Sequence, residues 1–226
     1  MDIEKGDRIV PIMEGADLGT SIVPTLKRIA KPPVPLLPFA ECYYETDIPM
    51  TDMLVKLYAL PDVNPLLTAL NQKGLEIRRP HPSERYVLAE WVRQHFHEPW
   101  AVGCEVALEN KPVSCYIAVE KRQDHVPSDD PYDLPEEVLV GFACYDVDSK
   151  GMFGAMGVKE GRRGQGIGTA LLLACLHAMK EEGYAYAVIG WVASVDFYAN
   201  AAGATVIPDS EPGIFRGKLV GSVSQA

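Results

Sequence analysis

The sequence predicts an α+β fold in which helices pack on a mixed β-sheet, and two local patterns support this prediction. The β-rich segments 138–146 and 152–158 are joined by a short polar turn at residues 148–151, which is typical of an antiparallel hairpin. The second strand is followed by a glycine-rich turn, an apolar helix over 169–182 and another strand over 184–192. That order is typical of a right-handed crossover between parallel strands, so the sheet should contain both kinds of pairing.

Further elements are predicted on either side of this unit. Residues 75–79 alternate apolar and polar side chains as a strand does, and residues 113–120 are rich in strand-forming residues. Ser83 is the expected N-cap of a helix that reaches about His95. The remaining predicted elements are a polar loop over 123–137, a short helix over 194–202 and a last strand over 204–208.

Residues 1–73 are predicted to form an N-terminal arm, and residues 74–226 the main domain. Prolines crowd residues 31–38, and because proline fixes φ and lacks an N–H group, this segment should run extended. Residues 52–58 and 64–72 have short helical patterns. The arm is therefore interpreted as short helices with an extended Pro-rich segment, which would also suit packing against a second subunit in a homodimer.

The composition favours one buried core and disfavours a nucleic-acid partner. Hydrophobic residues make up 47% of the 226 residues, which is enough for a well-buried core. The formal net charge of -10 repels phosphate backbones. The five cysteines show no CxxC spacing, the N-terminus has no apolar signal segment, and no apolar run approaches the ~20 residues of a membrane span. A cytoplasmic protein with no membrane partner is therefore expected.

A glycine-rich turn immediately before the apolar helix is the main candidate site. In Arg163-Gly164-Gln165-Gly166-Ile167-Gly168, glycine occupies alternate positions. Glycine lets the backbone approach a ligand, and the free N–H groups of a helix N-terminus bind phosphate oxygens. A tight strand-to-helix turn without a ligand is the simpler interpretation. Two nucleotide motifs do not fit, since a Walker loop needs a lysine between Gly168 and Thr169, and the dinucleotide fingerprint needs glycine at position 169.

Residues 158–172 (VKEGRRGQGIGTALL) resemble motif A of the GNAT superfamily of acetyl-CoA-dependent N-acetyltransferases. Arg163, Gly166 and Gly168 match the family's core pattern Arg/Gln-x-x-Gly-x-Gly/Ala. The resemblance extends over about residues 75–219 and leaves the N-terminal arm outside it. It implies the GNAT acyl-CoA N-acyltransferase fold, which is a three-layer α/β/α arrangement with a mixed, mostly antiparallel twisted sheet and helices on both faces.

The same resemblance implies how individual residues would bind acetyl-CoA. Main-chain groups of Met156, Gly157 and Val158 would pair with the pantetheine arm as one strand pairs with its neighbour. In the family this strand splays from the next one, and the N–H group near Val158 would polarise the thioester carbonyl in the gap. The pyrophosphate of coenzyme A would be bound by the turn residues Arg163, Gly164, Gln165, Gly166, Ile167, Gly168 and Thr169.

Phe197-Tyr198 resembles motif B of the family, which implies that Tyr198 is the general acid that protonates the departing thiolate. A phenol with an ordinary pKa of about 10 carries its proton at neutral pH. A tyrosine that only packs on the sheet is the alternative. The match departs from the family pattern, because four residues instead of three separate Tyr198 from Gly203, and an upstream asparagine is missing. Asn200 is the candidate to replace that asparagine in cofactor binding.

No motif marks the base that deprotonates the amine. Glu105 is the candidate catalytic base and Asp146 is a second candidate, with a solvated acid as the alternative for each. His177 lies in a leucine-rich helix and is interpreted as a core residue. No metal site is predicted, because no partner at ligand spacing accompanies the remaining histidines His81, His95 and His97.

The predicted function is transfer of the acetyl group of acetyl-CoA to the primary amine of a small molecule, by direct attack in a ternary complex. A peptide or protein N-acetyltransferase on the same scaffold is one alternative. A non-catalytic acyl-CoA-binding module is the other. Trp91, Trp100 and Trp191 are candidates to line the acceptor pocket, although tryptophans more commonly pack in a core.

Overall fold

The structure is a computed structural model that describes residues 8–11, 26–29, 51–122, 136–211 and 213–214. The Pro-rich segment over 31–38 and most of the predicted polar loop lie outside these described residues. Within the described part of the chain, no helix is both long and apolar enough to cross a membrane.

A seven-stranded mixed sheet forms the centre of the fold. Two short strands that precede it in the chain, β1 (Arg8–Pro11) and β2 (Leu26–Ile29), form a separate antiparallel pair. The strands of the main sheet are β3 (Thr51–Lys56), β4 (Leu75–Arg78), β5 (Cys115–Lys121), β6 (Glu137–Tyr145), β7 (Met152–Val158), β8 (Tyr186–Val192) and β9 (Thr205–Val206). Their order is β4-β5-β6-β7-β8-β3-β9, and every neighbouring pair is antiparallel except β7–β8. The predicted mixed, mostly antiparallel sheet is confirmed.

Helices cover both faces of this sheet. The α-helices of the described part are α1 (Asn64–Asn71), α2 (Arg85–His95), α3 (Glu98–Glu109), α4 (Ile167–Glu181) and α5 (Val195–Ala202). Because successive side chains of a strand point to opposite faces, Phe142 of β6 joins the core beneath α2 and α3, whereas Ala143 joins the core beneath α4. The predicted three-layer arrangement is therefore confirmed.

The hairpin and the crossover that the sequence predicts are both present. β6 and β7 pair as antiparallel neighbours, and α4 connects β7 to its parallel neighbour β8. Asp146 fastens the hairpin turn: its Oδ1 accepts the Gly151 N–H at 2.7 Å, and its Oδ2 accepts the Tyr184 hydroxyl at 2.7 Å. Both carboxylate oxygens of this candidate base thus already accept hydrogen bonds, one from the turn and one from Tyr184.

The prediction of a helix over residues 52–58 is wrong, because this segment forms β3 and a following 3-10 turn at Leu57–Ala59. Met53, Val55 and Leu57 are fully buried at alternate positions, which is the period of a strand. β3 lies between β8 and β9 in the main sheet. Residues 51–73, which were predicted as part of the arm over residues 1–73, therefore contribute to the main fold, and the arm stays a prediction for residues 1–50.

The start of α2 also differs from the expectation that Ser83 is its N-cap. A 3-10 turn at Pro82–Glu84 precedes the helix, and Glu84 rather than Ser83 holds it in place. The Glu84 carboxylate accepts the His81 N–H at 2.6 Å and forms a two-point ion pair with Arg78. A carboxylate that is bound both to the turn and to β4 anchors the helix more firmly than a serine hydroxyl would.

Candidate functional site

The glycine-rich turn joins β7 to α4 and leaves the start of the helix uncapped. Gly164 and Gly166 have φ values of 76° and 87°, in the left-handed region that glycine tolerates best. Gly166 is the N-cap of α4, and no described side chain caps this end. The first N–H groups of a helix have no intrahelical partner and carry the positive end of the helix dipole. The turn therefore offers several donors to an anion.

Apolar side chains support the turn on one side and leave the other side open. A Cβ built on Gly166 would lie 3.2 Å from Leu66 Cδ1 of α1, and one on Gly168 would lie 3.7 Å from both Val158 Cγ2 and Phe197 Cζ. A Cβ built on Gly164 would meet no atom within 4 Å. The backbone at Gly166 and Gly168 thus packs against apolar side chains, while the open side at Gly164 can receive a ligand.

Two adjacent arginines at this turn have different environments. Arg162 forms an ion pair with Glu120 of β5. Arg163 is exposed, and its Nε donates to the Val158 carbonyl at 3.2 Å. In the described part of the chain, its two terminal nitrogens have no hydrogen-bond or ion-pair partner. Arg163 is therefore the cation of this turn that can bind a phosphate.

The expected separation of β7 from β8 is present. The two strands pair only at Met152↔Val188 and Phe153↔Ile189, although β8 continues beside β3 as far as Val192. The other edge of β7 stays paired with β6 as far as Gly141↔Val158. From residue 154 onward, β7 thus has one unpaired edge, which faces the opening between the two strands.

Backbone groups of Met156 and Val158 point into this opening. The Lys159 N–H donates to the Val140 carbonyl of β6 at 2.9 Å. In an antiparallel pair, alternate residues direct their N–H and C=O groups to the partner, so Lys159 and Gly157 face β6 and the residues between them face away. The bond from Arg163 to the Val158 carbonyl agrees with this direction. The unpaired edge, which starts at residue 154, therefore ends where the glycine turn begins.

Tyr198 of α5 lies close to the start of the opening. Its ring is 6.4 Å from the Phe153 ring and 4.9 Å from the Phe197 ring, measured between centroids. Burial raises the pKa of its phenol to about 12, so the group keeps its proton at neutral pH. Asn200, also on α5, is exposed to solvent.

Glu105 lies on α3, in an ion-pair network with α2. Its carboxylate oxygens are 3.8 Å from Arg85 and 3.7 Å from Arg93. Arg85 also binds Glu109 at 2.9 Å. The carboxylate of Glu105 is thus shared by two guanidinium groups, and its role as the base stays a prediction.

An aromatic cluster, which was not predicted from the sequence, lies beside β7. The ring of Phe96 lies 5.7 Å from Trp91, 5.5 Å from Trp100 and 5.5 Å from Phe142 between centroids. The same ring covers Gly157, where a Cβ would come within 2.5 Å of it. Two of the predicted tryptophans therefore belong to a cluster that reaches the strand with the unpaired edge. Only the accumulation of aromatic residues between 91 and 100 could have indicated it.

Trp191 and Asp52 form a second feature that the sequence did not indicate. Trp191 has a φ of 51°, which is uncommon for a bulky residue, and its backbone N–H donates to Asp52 Oδ1 at 3.1 Å. Asp52 is buried at the start of β3. This contact ties the end of β8 to β3, on the side away from β7.

Comparisons with known proteins agree with this arrangement. The sequence model of the acetyltransferase (GNAT) family matches residues 67–203, more than half of the chain. A GCN5-related glucosamine N-acetyltransferase region of a fungal multi-domain β-N-acetylglucosaminidase has a TM-score of 0.54 and 15% identity, over 72% of this chain and 20% of that one. A GCN5-related N-acetyltransferase from Sphaerobacter thermophilus has a TM-score of 0.48 and 19% identity, over 71% of this chain and 50% of that one. This chain thus spans a fifth of the first protein and half of the second.

No curated protein sequence matches the chain. Strands β4 to β8, including the separated β7 and β8, and the uncapped glycine turn nevertheless lie within the segment that the family model covers. The chain is therefore a member of the GNAT family of acetyltransferases.

Proposed function

We propose that the protein transfers the acetyl group of acetyl-CoA to the primary amine of a small molecule, by direct attack in a ternary complex. One observation carries this proposal: the uncapped start of α4 lies beside Val158, the last residue of the unpaired edge of β7. Coenzyme A joins a pyrophosphate to an arm with two amide groups. It therefore needs a phosphate site that is continuous with the edge of a strand.

The residues at this site fit acetyl-CoA as the acyl donor. The N–H groups from Gly164 to Thr169 and the guanidinium of Arg163 suit the pyrophosphate, by charge and by their number of donors. The backbone groups of Met156 and Val158 suit the amides of the pantetheine arm, because they are directed into the opening. Asn200 is proposed as a further polar contact from α5.

In this proposal acetyl-CoA supplies the activated acyl group, and the chain positions it and handles charge and protons. The amine nitrogen forms a bond to the carbonyl carbon as the C–S bond breaks. The Val158 N–H faces the opening and serves as the donor to the carbonyl oxygen, which gains negative charge. Tyr198 donates its proton to the departing thiolate, and the proton lost by the amine passes to water or to Glu105.

The aromatic side chains on the face of the sheet opposite α4 support a small amine as the acceptor. Trp91, Phe96 and Trp100 are partly exposed there, and the Phe96 ring contacts the backbone of Gly157. Aromatic faces attract ammonium groups and stack on flat apolar groups. The chain's net charge of -10 also attracts a cationic amine at long range.

Calorimetric titration with acetyl-CoA tests the donor site, and two neighbouring arginines provide a matched pair of variants. Arg163→Ala should raise the Kd about tenfold or more, because it removes a charge-assisted contact. Arg162→Ala removes the same charge one residue away, from a side chain that is already paired with Glu120. It should change the Kd much less. A folded wild-type protein, free of co-purified coenzyme A, that does not bind acetyl-CoA would sink the proposal.

A coenzyme A release assay then tests the acceptor. The panel contains alkyl and aromatic amines, amino sugars and peptides with free N-termini or lysines. Turnover of a small amine supports the proposal, whereas turnover of peptides alone favours a protein acetyltransferase. Binding of acetyl-CoA with no turnover on any amine, and with Tyr198→Phe indistinguishable from wild type, would identify a non-catalytic module.

A further inference from the structure

Three of the cysteines meet in the core beneath α2 and α3. Cys115 of β5 and Cys144 of β6 are direct cross-strand partners, and Cys104 of α3 lies over them. The Cys144 and Cys104 sulfurs are 3.7 Å apart, and all three sulfurs lie within 4.8 Å of one another. Their positions in the sequence gave no metal-site signal, because the strand pairing and the packing of α3 bring them together.

The surroundings of the three sulfurs are apolar and enclosed. All three cysteines are at most 1% exposed, and they share a core cluster with Val92, Ala101 and other apolar residues. None of them is in a disulfide. Within the described part of the chain, no histidine, acid or further cysteine joins the group. The donor set there is therefore three sulfurs.

The spacing of the sulfurs suits a three-coordinate ion. Sulfurs bound at about 2.3 Å from a central ion in one plane are about 4 Å apart. The observed separations, 3.7 Å for one pair and at most 4.8 Å for the others, need only a small inward movement to reach this. Structural zinc takes four ligands, and a fully buried site gives no fourth place to water. Soft thiolate donors also select Cu(I), which accepts low coordination numbers.

We propose that Cys104, Cys115 and Cys144 form a three-sulfur binding site for a single Cu(I) ion. The site lies on the α2–α3 side of the sheet and is distinct from the glycine turn. Its ligands come from three different elements, so a bound ion would join α3 to β5 and β6.

Binding of Cu(I) at this site replaces thiol protons with the ion. Cysteine binds a metal through its thiolate, so each sulfur that binds Cu(I) releases its proton to solvent. The first proton released leaves a neutral group of Cu(I) and one thiolate. Each further proton released to solvent adds one negative charge. No electron is transferred, because copper is supplied as Cu(I) and leaves as Cu(I).

The test is an anaerobic competition titration with Cu(I) bound to bicinchoninate, a coloured chelator that reports the copper it retains. The full chain carries Cys42→Ser, so that the thiol outside the described residues does not contribute. We expect one Cu(I) per chain to leave the chelator and the melting temperature to rise. Cys115→Ser should weaken binding at least tenfold. Cys175→Ser is the matched control, because Cys175 is equally buried but lies in the other core, and it should leave binding unchanged.

X-ray absorption at the copper edge provides the second measurement, and circular dichroism shows which variants are folded. If Cys115→Ser does not fold, Cys144→Ala and Cys104→Ser replace it. Copper bound by three sulfurs supports the proposal. A folded chain that leaves all copper on the chelator overturns it, as does equal loss of binding in Cys115→Ser and Cys175→Ser. Tighter binding of Zn(II) than of Cu(I) overturns the choice of ion.

Discussion

The ring of Phe96 rests on the backbone of Gly157: a Cβ built on Gly157 would come within 2.5 Å of Phe96 Cζ and 2.7 Å of Cε1. Phe96 follows the last residue of α2, and Gly157 lies on β7 as the cross-strand partner of Phe142. Only glycine leaves room for the ring at this position. The α2–α3 connection is thus in direct contact with the strand that is proposed to bind pantetheine.

Gly157→Ala should lower the free energy of unfolding by about 1–3 kcal/mol, because the added methyl forces the ring or the strand to move. Urea unfolding measures the change. Gly161→Ala is the control, since a Cβ there would meet no atom within 4 Å. In the double variant with Phe96→Ala, the Gly157→Ala substitution should cost much less than it does alone. Equal costs with and without the Phe96 ring would show that this contact does not limit residue 157.

Tyr198→Phe should lower kcat about 100-fold or more while the Kd for acetyl-CoA stays the same, because it removes the proposed proton donor and keeps the ring. The hydroxyl has no hydrogen-bond partner among the described residues, so the exchange should change stability little. Initial rates and calorimetry separate the two effects. A Tyr198→Phe variant with wild-type kcat would leave Tyr198 with a packing role only.

The pKa of Tyr198 also predicts a pH dependence. Because its folded pKa of about 12 lies above the ordinary value near 10, the folded state holds this proton more tightly than the unfolded state. This contribution to stability is complete below pH ~10 and is lost as the pH rises towards ~12. Unfolding by urea across this range should show a steeper loss of stability in wild type than in Tyr198→Phe. Identical slopes would contradict the burial of this phenol.

Glu105→Gln should lower kcat less than tenfold, because Arg85 and Arg93 already share this carboxylate. The ion pairs are partly exposed, so stability should fall by about 1 kcal/mol or less. Glu109→Gln, which removes another carboxylate bound to Arg85, is the matched control and should behave similarly. A loss of about 100-fold in Glu105→Gln alone, largest at low pH, would instead identify Glu105 as the base.

The parts of the fold that the sequence predicts best are those with local causes. The strand over Met152–Val158, the glycine turn and the apolar helix follow one another along the chain, and each signal lies within about one element. The strand β3 was missed for the opposite reason. Its partners are residues 186–192 and 205–206, more than a hundred positions away, and only that pairing makes Met53 and Val55 buried.

The candidate site likewise has one part that the sequence predicts and another part that depends on tertiary packing. The turn from Arg163 to Gly168 is a continuous segment, so its chemistry is readable from residue types. The contact of Phe96 with Gly157 and the meeting of Cys104 with Cys144 depend on how helices dock on the sheet, which no spacing in the sequence encodes. The ion pairs of Glu105 could not be predicted either, because its two arginine partners lie 20 and 12 residues away on a neighbouring helix.

The place of β3 in the sheet predicts that fragments beginning at residue 51 and at residue 74 will differ in stability. The shorter fragment loses the fully buried side chains of Met53, Val55 and Leu57, each worth about 1.5–3 kcal/mol, and leaves β8 without its antiparallel neighbour. That loss approaches the whole stability of a typical domain. We expect cooperative urea unfolding for 51–226 and none for 74–226, with Met53→Ala in the full chain costing about 2–5 kcal/mol. Cooperative unfolding of 74–226 would instead make every residue before 74 a dispensable arm.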